Sequence, residues 1–482
     1  MKAESGCKTR GVFDPGVPIS QKEHAVSESK ETLTDAVRLR EVQEERFQRQ
    51  MDLVCQAHPY YREVLKKEGL TRSDFRSLDD LPKLPLTDKQ LYIERPDDFL
   101  LRLNGIEGIS REERTIWDII YTAGSTNDPT PFYDTSFDHY ARISQLKRSA
   151  EHAGITADDI IINLFPLTSV PHQGWLSVLW ASQAVGTKLI SGFGGSYDGD
   201  FGLVRRSQEA LDMIERHRAT VIWGIGFFVR RLIMKAQEQG RDMSSVRLAL
   251  PMGEGSPQGM RDDVRQRLQS MGAHDVQVLN GYGFTEKQGP SMECREMGGF
   301  HLPKPARYFF EILDPKTKEP VPPGEPGLVV MTHLMRRGTC LLRYVVGDIC
   351  SLTMDPCPHC GNWEPRFNSI PYRTGGIVKI KGTLVNVAAL FEVMSRIQAI
   401  EEYEIIADRS DPNDPFSEDV LFIKVACAKE DFDSVETQVK EAVRRNLEVT
   451  PVVEWVSPDT YTEALRDYKF KRFKDNRARP SK

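Results

Sequence analysis

The sequence lacks two features, and each absence excludes a class of protein. There is no surplus of basic residues, because 64 Lys and Arg stand against 70 Asp and Glu, for a net charge of -6. Nucleic-acid binders usually carry a basic surplus, so we expect no nucleic-acid partner. There is also no long apolar run. The best candidate, residues 220–228, is far shorter than the roughly 18 residues that span a bilayer, and it runs into Arg230 and Arg231.

The N-terminus lacks the apolar stretch of a secretion signal, because Lys2, Glu4 and Lys8 interrupt it. We therefore expect a cytoplasmic protein, without a membrane segment, whose eight cysteines are mostly reduced. In such a protein, closely spaced cysteines favour metal binding or catalysis over disulfides. The length of 482 residues predicts at least two domains. We expect a monomer or a homodimer.

The spacing of apolar residues predicts an α/β protein. Residues 1–30 are polar with scattered Gly and Pro, and we expect them to be poorly ordered. A helical pattern runs from Thr34 to Lys67, broken or bent at Pro59. Short apolar runs then alternate with amphipathic stretches, which predicts a mainly parallel sheet with helices on both faces. The predicted strands are Ile160–Phe165, Thr187–Ile190, Thr220–Trp223, Leu248–Met252 and Val276–Leu279, and the predicted helices are Gln208–Arg216 and Pro257–Met271.

The pattern changes towards the C-terminus. Antiparallel strands are expected at Phe309–Leu313 and Gly327–Thr332. After Tyr372 we predict a small α+β unit of about 105 residues, a size typical of a separate domain. Its predicted elements are a hairpin at Ile377–Lys381 and Thr383–Val387, helices at Ala388–Ile397 and Asp433–Leu447, and strands at Tyr403–Ala407 and Val420–Ala426.

Residues 121–130 form a loop of small hydroxyl-bearing residues, Tyr-Thr-Ala-Gly-Ser-Thr-Asn-Asp-Pro-Thr, after the apolar Ile119 and Ile120. Such a loop directs several backbone N–H groups and hydroxyls to one point, which suits phosphate oxygens. It is not a Walker A loop, because Gly-Lys-Ser/Thr is absent. A plain polar turn is the alternative interpretation.

Two later segments carry further candidates. In residues 280–286, Gly281 and Gly283 permit a sharp exit from a strand, and Tyr282 offers a flat face for a base or an aryl group. Glu286 offers a carboxylate for Mg²⁺ beside phosphates. Asp348, which ends the apolar stretch 342–348, can accept both hydroxyls of a ribose. Taken singly, each segment is better explained as a turn.

Together these segments resemble the adenylate-forming superfamily of acyl-CoA synthetases, luciferases and adenylation domains, and most closely its phenylacetate–CoA ligase branch. Tyr282 to Glu286 match the motif Tyr-Gly-x-Ser/Thr-Glu, and Tyr344 to Asp348 match Tyr-x-x-x-Asp. The phosphate loop departs from the family, since Asn127 and Asp128 replace Gly-Lys. The loop at Gly253 and Glu254 corresponds imperfectly to the family's adenine loop.

The resemblance implies a large N-terminal adenylate-forming domain at 31–371 with mixed sheets and flanking helices, a hinge at 372–376, and a small mobile lid domain at 377–482. In the hinge, Arg373 matches the family and Gly375 replaces its usual Asp or Lys. Lys469 aligns with the family's mobile catalytic lysine, and Lys471 is the competing candidate. The implied catalytic residues are Lys469, Glu286, Arg373 and Thr126. The implied nucleotide-binding residues are Thr122, Gly124, Ser125, Thr126, Gly253, Glu254, Gly281, Tyr282, Gly283, Thr285, Asp348 and Arg373.

In this superfamily the segments 166–175 and 223–228 line the acyl pocket. The implied pocket residues are His172, Trp175, Gly226, Phe228 and Tyr282. Aromatic residues with glycines suit a flat, apolar substrate, so we expect an aromatic or compact cyclic acid. Core packing is the alternative for Trp175 and Phe228, and an ordinary loop histidine is the alternative for His172.

A zinc site is predicted from four residues. Cys357 and Cys360 form a Cys-x-x-Cys knuckle, and Cys294 and His301 follow the Glu286 segment. Some members of the phenylacetate–CoA ligase branch are similar here. With four protein ligands no position remains for water, so the Zn²⁺ would be structural. His359 is the alternative nitrogen ligand, and a redox or idle cysteine pair is the alternative role.

The resemblance implies an enzyme. ATP would activate a carboxylic acid as an acyl-AMP, with Mg²⁺ at Glu286, and coenzyme A would then take the acyl group. The first alternative is transfer to a carrier-protein thiol or an amine. The second is a non-catalytic nucleotide-binding protein. The replacements at Asn127, Asp128 and Gly375 give it some weight, and the retained Glu286, Asp348, Arg373 and Lys469 argue against it.

Overall fold

The computed structural model describes residues 35–121, 129–167, 173–193, 207–253, 256–368, 372–373, 376–380, 383–411, 417–461 and 470–477. The expected disorder of residues 1–30 concerns residues outside these ranges. The described α-helices are α1 (Ala36–Ala57), α2 (Pro59–Glu68), α3 (Lys89–Glu94), α4 (Arg111–Arg114), α5 (Ser136–His152), α6 (Gln173–Val185), α7 (Ser207–His217), α8 (Gly226–Glu238), α9 (Gln258–Ser270), α10 (Val387–Ser395) and α11 (Phe432–Leu447).

The strands form several sheets. They are β1 (Ile116–Tyr121), β2 (Pro131–Thr135), β3 (Ile160–Asn163), β4 (Lys188–Ser191), β5 (Val221–Ile225), β6 (Leu248–Met252), β7 (Gln277–Val278), β8 (Gly281–Tyr282), β9 (Ser291–Glu293), β10 (Phe300–His301), β11 (Tyr308–Leu313), β12 (Gly327–His333), β13 (Tyr344–Cys350), β14 (Leu352–Thr353), β15 (Arg366–Phe367), β16 (Tyr372–Arg373), β17 (Ile377–Ile380), β18 (Thr383–Asn386), β19 (Glu402–Arg409), β20 (Asp419–Ala426), β21 (Val452–Val456) and β22 (Phe473–Asp475).

The break predicted at Pro59 is confirmed. Asp35 caps α1 by accepting a hydrogen bond from the backbone N–H of Arg38 at 2.9 Å. His58 ends that helix and caps the next, because its Nδ1 accepts from the N–H of Tyr61 at 3.2 Å. Pro59 is the first residue of α2, the position where a missing N–H costs nothing.

A five-stranded parallel sheet has the order β4-β3-β5-β6-β7, and this confirms the predicted parallel sheet. Helices α7, α8 and α9 share one apolar core with the sheet, and α5 and α6 share another. The sheet therefore has helices on both faces. The chain runs from β3 outward to β4, then returns to β5 on the other side of β3, so the direction of winding switches between β3 and β5.

Some predicted elements are longer than those observed. The predicted strand Ile160–Phe165 ends at Asn163, because Asn163 Oδ1 accepts from the N–H of Phe165 at 3.1 Å and turns the chain out of the sheet. The predicted strand Val276–Leu279 is reduced to Gln277–Val278. The helix predicted for Ala388–Ile397 spans Val387–Ser395 and is capped by Asn386.

Two antiparallel sheets follow in the chain. One has the order β11-β12-β13-β16 and includes the strands predicted at Phe309–Leu313 and Gly327–Thr332. The other has the order β14-β15-β10-β9-β8. In the second sheet Tyr282 lies on the edge strand β8, and β9 and β10 separate this strand from β15.

The C-terminal residues have an apolar core of their own, made by α10, α11 and the strands β17 to β21. The hairpin β17-β18 and the sheet β21-β20-β19-β22 confirm the predicted α+β character of this part. The exact division at 372–376 stays a prediction. None of the helices in the described part of the chain combines the length and apolar character that a bilayer crossing requires.

Candidate active site

Glu286 lies in a single 3₁₀ turn, Thr285–Lys287, and only 3% of it is exposed. The hydroxyl of Tyr344 donates to Glu286 Oε1 at 2.6 Å. Burial and the nearby Glu286 charge raise the pKa of Tyr344 well above its ordinary value, so the phenol stays protonated and can donate. The carboxylate is therefore held in one orientation by a residue of β13.

Three residues predicted from separate motifs come together beside this turn. The hydroxyl of Tyr282 in β8 donates to Asp348 Oδ2 in β13 at 2.8 Å. Asp348 is in turn the register partner of Arg373 across the antiparallel pair β13·β16. The arrangement places an aromatic side chain, an acidic group and the backbone of an arginine in one small region.

The carboxyl ends of the parallel strands border the same region. Gly253, directly after β6, has φ +84°, a conformation that favours glycine. The same edge of the Phe165 ring would lie 2.6 Å from a Cβ on Gly174 and 4.0 Å from a Cβ on Gly253. In open α/β sheets, ligands bind outside the carboxyl ends of strands where the winding switches, here between β3 and β5.

The four predicted metal ligands form one cluster. One ligand atom each from Cys294, His301, Cys357 and Cys360 lies within 4.8 Å of the others. Cys294 Sγ and Cys357 Sγ are 3.7 Å apart, and Cys360 Sγ is 3.5 Å from His301 Nε2. Zn–S bonds of about 2.3 Å and Zn–N bonds of about 2.0 Å in a tetrahedron require separations of roughly 3.8 and 3.5 Å.

The pKa values of the cluster differ between its members, because burial and the neighbouring thiols Cys360 and Cys357 raise the pKa of Cys294, whereas two other members are held in the form that binds a metal. Burial, followed by the nearby His152 and Arg366, lowers the pKa of His301 to about 3, so its imidazole is neutral and can bind a metal. Burial raises the pKa of Cys357, but hydrogen bonds from the backbone N–H groups of Cys360 and His359 outweigh it and leave the pKa below its ordinary value. His359, the alternative nitrogen ligand, lies outside the cluster, and its Nδ1 is 3.2 Å from Arg295 Nη1.

A charged network supports the cluster from the side of α5. Glu364 Oε2 is 2.5 Å from His152 Nε2 and 2.9 Å from Arg148 Nη2. The rings of His152 and His301 lie 4.9 Å apart. These contacts fix the knuckle loop to α5, which packs on the parallel sheet.

The chain matches known proteins over most of its length. A family model described as AMP-binding enzyme matches residues 27–336. The chain belongs to the AMP-binding enzyme family. The phenylacetate–coenzyme A ligase of Thermus thermophilus is 26% identical over 440 residues, 87% of this chain and 93% of that protein.

Solved structures agree with the fold of an AMP-binding enzyme. 2-Hydroxyisobutyryl-CoA ligase in its postadenylation state matches with a TM-score of 0.75 at 20% identity, over 93% of this chain and 92% of that one. The same ligase in its thioesterification state, with 2-HIB-AMP and CoA, matches with a TM-score of 0.57 at 20% identity, over 93% and 91%.

Several predicted residues of this AMP-binding enzyme lie outside the described ranges. They are Thr122, Gly124, Ser125, Thr126, His172, Glu254 and Lys469, and only the backbone of Arg373 is described. Of the predicted pocket, Gly226 is buried at the start of α8. Phe228 is partly buried and packs against the apolar cores on both faces of the parallel sheet.

One further residue of the site carries no motif that could have predicted it. His333 Nε2 donates to the backbone oxygen of Glu286 at 2.9 Å, and its Nδ1 accepts from the N–H of Leu341 at 3.0 Å. Burial and the nearby Arg336 lower its pKa to about 3, so it is neutral and can do both. Because it supports Glu286 from a strand 47 residues away, only the fold connects them.

Proposed function

We propose that this AMP-binding enzyme is an acid–thiol ligase that forms AMP. In the first step, a carboxylate oxygen attacks the α-phosphorus of ATP, and pyrophosphate leaves. In the second, the thiolate of coenzyme A attacks the acyl carbon, and AMP leaves with the C–O bond pair. The observation that carries the proposal is the convergence of Glu286, Tyr282, Asp348 and the backbone of Arg373 on one crevice.

The residues take distinct roles in this reaction. Asp348 accepts the ribose hydroxyls, and Tyr282 offers its face to the adenine or to the acid. Glu286, oriented by Tyr344, provides the carboxylate for Mg²⁺ beside the phosphates. The backbone of the loop 122–126 binds phosphate oxygens, while Arg373 adds positive charge. The remaining nucleotide contacts come from Gly253, Glu254, Gly281, Gly283 and Thr285.

Lys469 is the proposed cation at the reacting carboxylate. Its neighbour Phe470 packs against the apolar core that includes Phe165 and Trp223, with its ring 5.4 Å from that of Tyr461. Lys471, the competing candidate, precedes Arg472, whose Nε is 2.7 Å from Glu402 Oε1 in β19.

The acid is proposed to be aromatic or compact and cyclic. Trp175 and Phe193 form a stacked pair over the ends of β3 and β4, which suits a flat substrate better than a flexible chain. The curated relatives are named phenylacetate–coenzyme A ligases. We also propose a structural Zn²⁺ at Cys294, His301, Cys357 and Cys360, where it would join the loop after β9 to the loop before β15.

One assay distinguishes this function from its alternatives. Purified protein is given ATP, Mg²⁺ and one acid at a time, and pyrophosphate release is measured with and without coenzyme A. We expect release with aryl acids to exceed release with medium-chain fatty acids, and acyl-CoA to appear only with coenzyme A. Release that produces no thioester would indicate a carrier-protein or amine acceptor. No release with any acid would indicate a non-catalytic protein.

The variant Lys469→Ala tests which of the two half-reactions depends on this lysine. Removing a cation from a developing anion should slow pyrophosphate release by about 100-fold or more, because electrostatic contacts of this kind contribute several kcal/mol to a transition state. Thioester formation from supplied acyl-AMP should continue, since another arrangement of the small domain serves that step. Lys471→Ala is the matched control, and loss of adenylation in that variant instead would move the role to Lys471.

A further inference from the structure

Arg142, in α5, is buried between two segments of the candidate active site. Its side chain has 0% exposure, and its guanidinium faces the ring of Trp180, 4.3 Å from the ring centroid. A buried charge destabilises a fold unless it is paired and hydrogen-bonded, so the contacts of this side chain identify the segments that it joins.

One side of the guanidinium contacts the β1-β2 hairpin, whose two strands are connected through the predicted phosphate loop, residues 121–130. Asp118 of β1 and Asp134 of β2 are register partners, so two carboxylates lie opposite each other. Arg142 Nη1 is 2.6 Å from Asp134 Oδ2, and Arg142 Nη2 is 3.7 Å from Asp118 Oδ2. Like charges repel at directly opposite positions of two strands, so the guanidinium offsets a repulsion at the base of the loop.

The other side of the guanidinium contacts the turn that carries Glu286. Arg142 Nη1 donates to Gln288 Oε1 at 2.8 Å, and Gln288 Nε2 donates to the backbone oxygen of Thr285 at 2.7 Å. Because a guanidinium only donates, it requires the amide oxygen of Gln288 and thereby directs the amide nitrogen towards Thr285. Gln288 has φ +66°, a conformation that is uncommon outside glycine, and these two bonds hold it there.

Other residues of α5 hold the same part of the chain. Gln145 Nε2 donates to the backbone oxygen of Lys287 at 2.9 Å, and the Ser149 hydroxyl donates to the backbone oxygen of Pro290 at 2.7 Å. These residues follow Arg142 at helical spacing, so one face of the helix holds the segment after Glu286. Arg142 adds the contacts to the hairpin, and one side chain thus joins the two segments.

We propose that Arg142 is a positioning residue for adenylation. It joins the phosphate loop to the turn of Glu286, so that the phosphates of ATP and the carboxylate for Mg²⁺ keep one relative position. It acts through Gln288 rather than by contact with a substrate. This inference rests on the proposed ligase function and on Mg²⁺ at Glu286.

Gln288→Met tests the assignment without removing a charge from the hairpin. Methionine has nearly the length of glutamine but no amide to join Arg142 to Thr285. Pyrophosphate release is measured at saturating ATP while free Mg²⁺ is varied. The Mg²⁺ concentration that gives half the maximal rate should rise about 10-fold to 100-fold, as when a group that orients a metal ligand is removed. Thioester formation from supplied acyl-AMP should change by less than about 2-fold, because acyl-AMP lacks the β- and γ-phosphates that the metal bridges.

Arg142→Met tests whether the arginine acts through Gln288. Asp134 has a second ion pair in this variant, because Arg336 Nη2 is 2.7 Å from its Oδ1. Arg142→Met alone should raise the Mg²⁺ requirement about as much as Gln288→Met does. Added to Gln288→Met, it should raise the requirement by no more than about 2-fold further, since the two residues form one connection. Fully additive effects would overturn the route through Gln288.

Arg72→Met is the matched control for the loss of a paired arginine. Arg72 is 2.6 Å from Asp52 and donates to the backbone oxygen of Phe75 at 2.7 Å, among the N-terminal helices. It should lower the melting temperature and leave the Mg²⁺ requirement unchanged. An unchanged requirement in Gln288→Met, or equal slowing of both half-reactions, would overturn the role of Arg142 and leave the ligase function standing. Absence of pyrophosphate release by the unaltered protein with every acid would overturn both.

Discussion

At the scale of single residues, a buried lysine follows Glu286 in the same 3₁₀ turn. Lys287 has 0% exposure, and its Nζ donates to the backbone oxygen of Gly289. Burial lowers its pKa to about 7, and no acidic group in the described part of the chain offsets that effect. Its backbone oxygen accepts hydrogen bonds from Gln145 and Tyr308, so the main chain is fixed independently of the amine.

Lys287→Met should therefore stabilise the fold. The unfolded chain takes up the lysine proton below a pKa of about 10.4, but the folded protein does so only below about 7, so the lysine destabilises the fold most below pH 7. We expect the free energy of unfolding to rise by a few kcal/mol at pH 7. The gain should shrink as the pH approaches 10, as urea denaturation across that range would reveal. A gain that does not vary with pH would contradict this explanation.

At the scale of elements, the cluster of Cys294, His301, Cys357 and Cys360 brings together three segments of one sheet. The loop after β9 carries the first cysteine, β10 carries the histidine, and the loop between β14 and β15 carries the knuckle. All of these strands belong to the sheet whose edge strand holds Tyr282. A metal here would fix that sheet and thereby the position of the Tyr282 ring.

Protein prepared without chelator should contain about one zinc per chain by elemental analysis. Cys357→Ser should abolish the zinc and lower the melting temperature, because binding free energy of a structural metal is also folding free energy. Cys55→Ser is the control, since that cysteine is partly buried beside the N-terminal helices, outside the cluster. Metal-free protein from such a preparation would rule out the site.

At the scale of the whole molecule, an arginine joins the large part of the chain to the small one. Arg230 of α8 donates to the backbone oxygens of Ile400 and Glu401 at 3.1 and 2.9 Å, and its Nε is 2.7 Å from Asp263 Oδ2. Glu392 of α10 accepts from the N–H of Gln258 at 3.1 Å beside it. These contacts hold the C-terminal part against α8 and α9 in one arrangement.

Arg230→Ala should release the small part from this arrangement. Pyrophosphate formation should slow by about 10-fold, because charge-assisted hydrogen bonds contribute roughly 1.5–3 kcal/mol. Conversion of supplied acyl-AMP to acyl-CoA should be unchanged or faster, since the predicted rotation of the small domain would break these contacts. Stopped-flow assays of the two half-reactions would separate the effects, with exposed Arg216→Ala as control. Equal slowing of both steps would contradict a conformational role.

The sequence alone determined the family and most elements. The ordered motifs around Glu286 and Asp348 led to the predicted family, which the AMP-binding match confirms. The spacing of apolar residues was enough to predict the helices and the parallel strands. An element buried on one face or on both has a characteristic spacing of apolar residues along the chain. The ends of strands were predicted less well. Strand β3 ends earlier than predicted because the side chain of Asn163 accepts a hydrogen bond from the N–H of Phe165 and turns the chain.

Only the tertiary structure decided which distant groups meet. The bond from Tyr282 to Asp348 spans 66 residues, and the support of Glu286 by His333 spans 47. Similarly, the choice of His301 over His359 in the cysteine cluster follows from the pairing of β10 with β9 and β15. Local spacing carries no information about such contacts, because strand pairing and burial set them, and burial also fixes the pKa values that make His301 and His333 neutral.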